Sequence, residues 1–176
     1  MSLFTDDNYR WRDRYCVFLE AGRRPAAETV RRELAALDAR YEIKSILADD
    51  QGRLRSLSLL APLDFAAMDI TYVYGEDVIA QALELAETLS PVCRTPNNHQ
   101  QLLQLAHCDA RLDIDHFEQL VLEEALPADE LDWLEENDQD ALADEHLDPG
   151  TLLRVIRRLS NLCQGVGVDP QSGEFV

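Results

Sequence analysis

The sequence predicts an α+β fold, in which a βαββαβ-type antiparallel or mixed sheet carries its helices on one face. An acidic helical segment and a C-terminal helix and strand elaborate this core. Three observations lead to the prediction. Between residues 15 and 90, β-prone runs alternate with amphipathic helical stripes. Carboxylates crowd residues 129–146, and a well-delimited helix followed by a short strand closes the chain.

The length of 176 residues favours one compact domain. We expect an N-terminal arm at 1–14 and a single α+β domain at 15–176. The domain is divided into a βαβββα core at 15–90, an irregular α/β part at 97–126, the acidic helical segment at 129–146, and the C-terminal helix and strand or turn at 148–176. In the arm, we expect Trp11 to dock against the domain, because nucleic-acid stacking does not suit so acidic a chain.

Residues 15–20 are almost continuously apolar, as expected of a central strand. A helix follows with Pro25 in its first turn and apolar residues at intervals of three and four from Ala27 to Tyr41. Strands at 42–48 and 53–61 flank the turn residues 49–52 and predict a hairpin. A third strand at 68–74 precedes a helix that starts at Glu76 and stops at Ser90.

In the second half, Asn97 or Asn98 is the expected cap of a short helix ending near Leu105. A strand at 111–118 would place Leu112, Ile114 and His116 on one face and Asp113, Asp115 and Phe117 on the other. The last helix is expected to start with Asp148 as its cap and to end at Gly165, before a short strand at 166–168 that joins the sheet.

The order of these elements gives most of a ferredoxin-like βαββαβ plan with one further β segment. The C-terminal helix and the following GVGVDPQSGEFV, residues 165–176, resemble the close of several bacterial α+β proteins of ferredoxin-like type. In those proteins a last helix leads into a strand and a D-P-Q-x-G turn. The resemblance covers about 30 residues and implies a fold class, with no active site.

The formal charge of -18 is distributed unevenly along the chain. The first 60 residues carry 11 basic and 10 acidic groups, whereas the remainder carries 5 basic and 24 acidic groups. Such a field repels nucleic acid and anionic membrane surfaces and favours a basic partner. We therefore predict that the acidic segment docks on its own domain, next to the arginines of the first helix, because this costs no association entropy; the alternative is a basic groove of a protein partner. The candidate interaction surface consists of Arg23, Arg24, Arg31, Arg32 and Trp133.

Residues 107–118 contain the cluster of side chains that most resembles a catalytic or metal-binding site. It contains His107, Cys108, Asp109, Asp113, Asp115, His116 and Glu118. Alternating imidazole and carboxylate groups are potential ligands of a divalent cation. However, the spacing matches no known metal motif, and no nucleophile motif or nucleotide-binding fingerprint is present. We therefore expect no catalytic residue, metal or cofactor.

The four cysteines form no C-x-x-C pair, the first 15 residues contain no apolar run of signal-peptide length, and no segment is an apolar run of membrane-spanning length. Buried free thiols and a cytoplasmic location are therefore expected. The sequence favours a non-catalytic protein-interaction or regulatory module of a bacterial-type cytosolic protein. Such a module would bind a protein partner or form a homo-oligomer. Two alternatives remain: a small-ligand-binding regulatory domain, and an enzyme that uses the 107–118 cluster.

Overall fold

The structure is a computed structural model that describes residues 3–91, 95–120 and 149–176. In this part of the chain it contains four α-helices and a seven-stranded antiparallel sheet, so the α+β class is confirmed. The helices are α1 (Ala27–Ala35), α2 (Glu76–Leu89), α3 (Pro96–Leu105) and α4 (Pro149–Cys163). The strands are β1 (Tyr9–Leu19), β2 (Glu42–Ala48), β3 (Leu54–Ala61), β4 (Ala66–Tyr74), β5 (Ala110–Gln119), β6 (Val166–Asp169) and β7 (Glu174–Phe175).

The ferredoxin-like plan is not confirmed, because the strand order is different. The order is β2-β3-β4-β5-β1-β6-β7, and every neighbouring pair is antiparallel. Strands β2 to β5 are neighbours in sequence order, and β1 inserts between β5 and β6. The predicted C-terminal strand does join the sheet, beside β1.

The helices lie on both faces of the sheet, so the prediction that they share one face is wrong. The apolar sides of α1 and α4 pack with Val17, Leu112 and Ile114. Helices α2 and α3 pack with Phe18 and Val168 on the opposite face. Successive residues of a strand point to opposite faces. The continuous apolar run of β1 therefore serves two separate cores, as expected of a strand covered on both sides.

Local sequence signals fix most element boundaries. Strand β2 spans the predicted residues, and Gly52 supplies the left-handed conformation of the hairpin turn with φ 74°. Helix α1 ends earlier than its apolar stripe, at Ala35, although Leu37 and Tyr41 still pack on the core beyond it. The cap of α3 is Thr95, not Asn97 or Asn98: its hydroxyl oxygen accepts a hydrogen bond from the Asn98 N–H at 3.2 Å.

The second half of the predicted N-terminal arm belongs to β1, which begins at Tyr9. A 3₁₀ turn at Leu3–Thr5 precedes it, and Phe4 packs edge-to-face on Phe117 with ring centroids 4.8 Å apart. The indole N–H of Trp11 donates to Asp115 Oδ1 at 3.1 Å. The Trp11 side chain is thus anchored to the sheet. The acidic segment 129–146, with Trp133, and the predicted Asp148 cap lie outside the described residues.

Candidate binding cleft and basic helical face

A polar cleft of about 800 Å³ lies where three parts of the chain meet. The turn after β1 contributes Glu20 and Arg23. Helix α3 and the residue beyond its C-terminal turn contribute Gln100, Leu103, Gln104 and His107. The end of α4 contributes Ser160, Asn161, Gln164 and Gly165. We call this site the polar cleft.

The C-terminal end of α4 organises the polar cleft. Gln164 adopts a left-handed conformation with φ 48°, and the N–H of Gly165 donates to the Ser160 carbonyl at 2.8 Å. This turn exposes the Gln164 carbonyl, which accepts hydrogen bonds from the side chains of Arg23 and Gln104. A guanidinium beside the carbonyl end of a helix is also favoured by the helix dipole. Arg23 and Gln104 therefore join the three parts of the chain that form the cleft.

Arg23 and Arg24 both make internal contacts. Arg23 donates to Gln164 Oε1 at 2.9 Å and pairs with Glu20 at 3.0 Å. Arg24 donates to the Leu54 carbonyl at 2.7 Å and pairs with Asp49 at 3.0 Å. The Arg24 guanidinium carbon also lies 4.1 Å from the ring centroid of Tyr72, an ordinary cation–π distance. Their assignment to an interaction surface stays a prediction, but the contacts give both arginines a structural role.

Arg31 and Arg32 are held more loosely than Arg23 and Arg24. Their side chains are 58% and 69% exposed, and their closest carboxylates, on Glu28 and Glu33, lie 3.6 Å away. Glu33 also pairs with Arg158 of α4 at 3.5 Å, which links the two helices side by side. The outer surface of this pair carries four exposed arginines, Arg31, Arg32, Arg154 and Arg157, together with Arg158, whose side chain is 40% exposed beside Glu33. We call it the basic face.

The basic face runs into the polar cleft along one stripe of α4. Arg154, Arg157, Asn161 and Gln164 are all exposed. Arg154, Arg157 and Asn161 follow one another at intervals of three and four residues, so they lie on one side of the helix, and Gln164 follows just beyond its C-terminal end. The sequence of α4 contains no Asp or Glu. The stripe therefore changes from cationic at its N-terminal end to amide-bearing at its C-terminal end.

The 107–118 residues do not converge on one site. His107 lines the polar cleft, and β5 then alternates its side chains between the two faces of the sheet, as predicted. His116 Nδ1 lies 3.0 Å from Asp13 Oδ1, and Glu118 pairs with Arg10 and Arg12. Within the described residues, no group of three or more His, Cys, Asp or Glu side chains could hold a metal ion.

On the other face, the carboxylates of β5 form internal ion pairs. Asp115 accepts from Arg14 Nε at 2.8 Å and from its Nη2 at 3.0 Å. Asp113 accepts from Arg111 Nε at 2.6 Å. Both carboxylates are more than nine-tenths buried. Paired, buried carboxylates of this kind are typical of structural ion pairs, since an isolated buried charge is costly.

The thiols of Cys16, Cys108 and Cys163 are buried, as the sequence predicts, and burial raises the pKa of each to about 12. The carboxylate of Asp113 adds to this effect at Cys16. Cys93 lies outside the described residues. A thiol acts as a nucleophile only as the thiolate. These three groups are therefore inert in the native protein.

We expect the Cys93→Ser variant to react with Ellman's reagent at pH 8 only through unfolding. With a pKa of about 12 for each of the three buried thiols, about one thiol in ten thousand is ionised at this pH, so burial and protonation both suppress the reaction. The absorbance of the released thiolate should rise at the rate of unfolding and faster in denaturant. A fast phase in the native variant would contradict the burial of these residues.

Sequence reasoning missed the amide side chains of the polar cleft. Gln100, Asn161 and Gln164 carry no charge and match no motif, so nothing in the local pattern marks them. The usable signal was the spacing on α4, where Asn161 and Gln164 continue the outward stripe of Arg154 and Arg157. Their approach to α3 depends on tertiary packing and has no local signal.

Among the described residues, no helix is long and apolar enough to cross a membrane. Comparison of the chain with protein-family models, with curated proteins and with solved structures finds no match. The candidate sites therefore depend on their geometry and charge.

Proposed function

We propose that the protein is a non-catalytic protein-interaction module that binds an acidic segment of a partner protein on its basic face. One observation carries the proposal. In a chain of net charge -18, α1 and α4 together carry five arginines against two carboxylates, Glu28 and Glu33, and the sequence of α4 has no Asp or Glu. Arginine is well suited to such a surface, because its planar guanidinium donates two parallel hydrogen bonds to one carboxylate.

The exposure of the arginines supports this proposal over a purely structural role. Arg31 and Arg32 make ion pairs at 3.6 Å, longer than the 2.8 Å of the pair between Arg14 and Asp115. Exposed pairs of this kind contribute about 0–1 kcal/mol to stability. Arg31 and Arg32 therefore remain available to a partner at little cost to the fold, whereas Arg154 donates to the Gly150 carbonyl and the Thr151 hydroxyl.

The internal contacts of the 107–118 residues weigh against the enzyme alternative. Asp113, Asp115 and Glu118 are paired with arginines, and His107 lies apart from His116 at the other end of β5. A reducing, cytoplasmic location is part of the proposal, since Cys16, Cys108 and Cys163 are buried as free thiols.

The test uses a fluorescently labelled peptide of ten glutamates and measures its anisotropy with the full-length protein. At about 0.1 M salt the screening length is about 10 Å, so distant carboxylates interfere little while contact pairs persist. We expect the Arg154→Glu/Arg157→Glu variant to bind the peptide at least about tenfold more weakly, because two charge-assisted contacts become repulsive. The wild-type affinity should also fall as salt is raised.

The matched control is Arg53→Glu/Arg55→Glu, which makes the same change in net charge around the start of β3. Equal weakening in both variants would mean that only overall charge matters, and the proposal would fail. Sedimentation gives a second readout. If the wild type were a dimer and the Arg154→Glu/Arg157→Glu variant a monomer, a second copy of the chain would replace the acidic partner as the occupant of this face.

A further inference from the structure

We infer that the polar cleft binds an uncharged, extended segment of a polypeptide. The inference rests on the proposed interaction function: beside the acidic segment on the basic face, the partner protein would place an uncharged segment in the cleft. The cleft adjoins the basic face through the shared stripe of α4, but its chemistry is different. Amide side chains dominate its described lining, at Gln100, Gln104, Asn161 and Gln164.

The charges in the cleft compensate one another. Arg23 Nη2 lies 3.0 Å from Glu20 Oε1, so the guanidinium and the carboxylate form a pair. An anionic ligand would have to compete with Glu20 for the guanidinium, and a cationic ligand would have to compete with Arg23 for the carboxylate. The ligand that fits this balance is neutral.

The amides supply both halves of a hydrogen-bond pair. Each Gln or Asn side chain has an N–H₂ donor and a carbonyl acceptor, the same groups as a peptide bond. Gln104 and Gln164 are partly engaged, through Gln104 Nε2 and Gln164 Oε1. Gln100 and Asn161 are exposed and have no side-chain hydrogen bond to the other described residues. These two amides are the groups best placed to pair with a peptide backbone.

The shape and lining of the cleft favour a polymer over an enclosed small molecule. Sites for small molecules bury most of the ligand among apolar and aromatic side chains. Here the cleft is open, its described lining contains no Phe, Tyr or Trp, and Leu103 is 56% exposed at its wall. An extended segment can pair its backbone with the amides while one of its aliphatic side chains covers Leu103. A carbohydrate carries no aliphatic side chain that could cover Leu103, and the described lining offers no Phe, Tyr or Trp on which a sugar could stack.

The test is an NMR titration of the ¹⁵N-labelled full-length protein with the blocked peptide acetyl-Ala-Leu-Ala-Ala-amide. We expect shifts of the side-chain amide signals of Gln100 and Asn161 and of the backbone signals of 100–107 and 160–165. The Gln100→Ala/Asn161→Ala variant should bind about tenfold more weakly, the factor expected from the loss of two net hydrogen bonds. The control Asn97→Ala/Gln101→Ala removes two amides from the same region of α3 but outside the cleft, and should bind as the wild type does.

Two outcomes would overturn the inference. One is a shift of the cleft signals by maltotriose and none by the peptide, which would assign the site to a carbohydrate. The other is equal peptide binding by the Gln100→Ala/Asn161→Ala variant and the wild type. The glutamate peptide separates this result from the proposed function, because the Gln100→Ala/Asn161→Ala variant keeps the arginines of the basic face and should bind that peptide unchanged.

Discussion

We expect the Phe18→Ala variant to lose about 3–5 kcal/mol of its free energy of unfolding, the range found for large aromatic side chains in cores. Phe18 is completely buried. It lies on the sheet face that packs with α2 and α3, opposite Val166 of β6. The substitution therefore leaves a cavity between the sheet and two helices. Urea denaturation followed by circular dichroism measures the change.

This variant tests the presence of helices on both faces of the sheet. If helices covered only the face of Val17, Phe18 would be exposed and its removal would change stability little. Phe4→Ala is the matched control, because Phe4 is 56% exposed and its ring packs on the edge of Phe117. We expect this control to lose about 1 kcal/mol, the value of one aromatic pair. Equal losses in the two variants would contradict the two-sided arrangement.

We expect Gly165→Ala to destabilise the protein by about 2–3 kcal/mol through overpacking. An added Cβ would lie 2.5 Å from the Phe18 carbonyl oxygen and 3.0 Å from Val17 Cγ1. The first of these atoms belongs to the backbone of a central strand, which cannot move without disturbing its pairing with β5 and β6. The glycine is therefore required for the close approach of α4 to β1.

Gly22→Ala is the control for this substitution, because an added Cβ at Gly22 meets no atom within 4 Å. Its unfolding free energy should stay within about 0.5 kcal/mol of the wild type. If Gly165→Ala were as stable as Gly22→Ala, the end of α4 would not lie against β1 as described. Because Gly165 also lines the polar cleft, the same variant should weaken binding of the blocked peptide.

The sequence correctly predicts that the last helix ends just before Gly165, but the physical reason for the glycine differs from the expected one. The sequence places a glycine just after the last helix, where a left-handed residue is common. The helix does end there, but Gln164 adopts the left-handed conformation, with φ 48°. Gly165 is needed because β1 is too close for a side chain, and this contact joins two residues that are far apart in the sequence.

The basic face could be predicted in part and the polar cleft could not. The outward position of Arg31 and Arg32 follows from the helical period of α1, and their exposure agrees with it. Arg23 and Arg24 precede the helix, so the helical repeat does not predict where their side chains point. Their partners Gln164 and Asp49 are distant in the sequence and meet them only through tertiary packing. The cleft draws on three distant stretches of the sequence, which only the folded chain brings together.

Local sequence was enough to locate the main elements of this protein and to assign the α+β class. Strand and helix periods depend on neighbouring residues, so β2, β3, α2 and the C-terminal helix could be located closely. The strand order and the two-sided placement of the helices depend instead on tertiary packing. Strand β1 is apolar at Cys16, Val17 and Phe18, so its sequence is compatible with several neighbouring strands and with helices packed on either face. Its position between β5 and β6 is set by packing over the whole sheet, which no local pattern encodes.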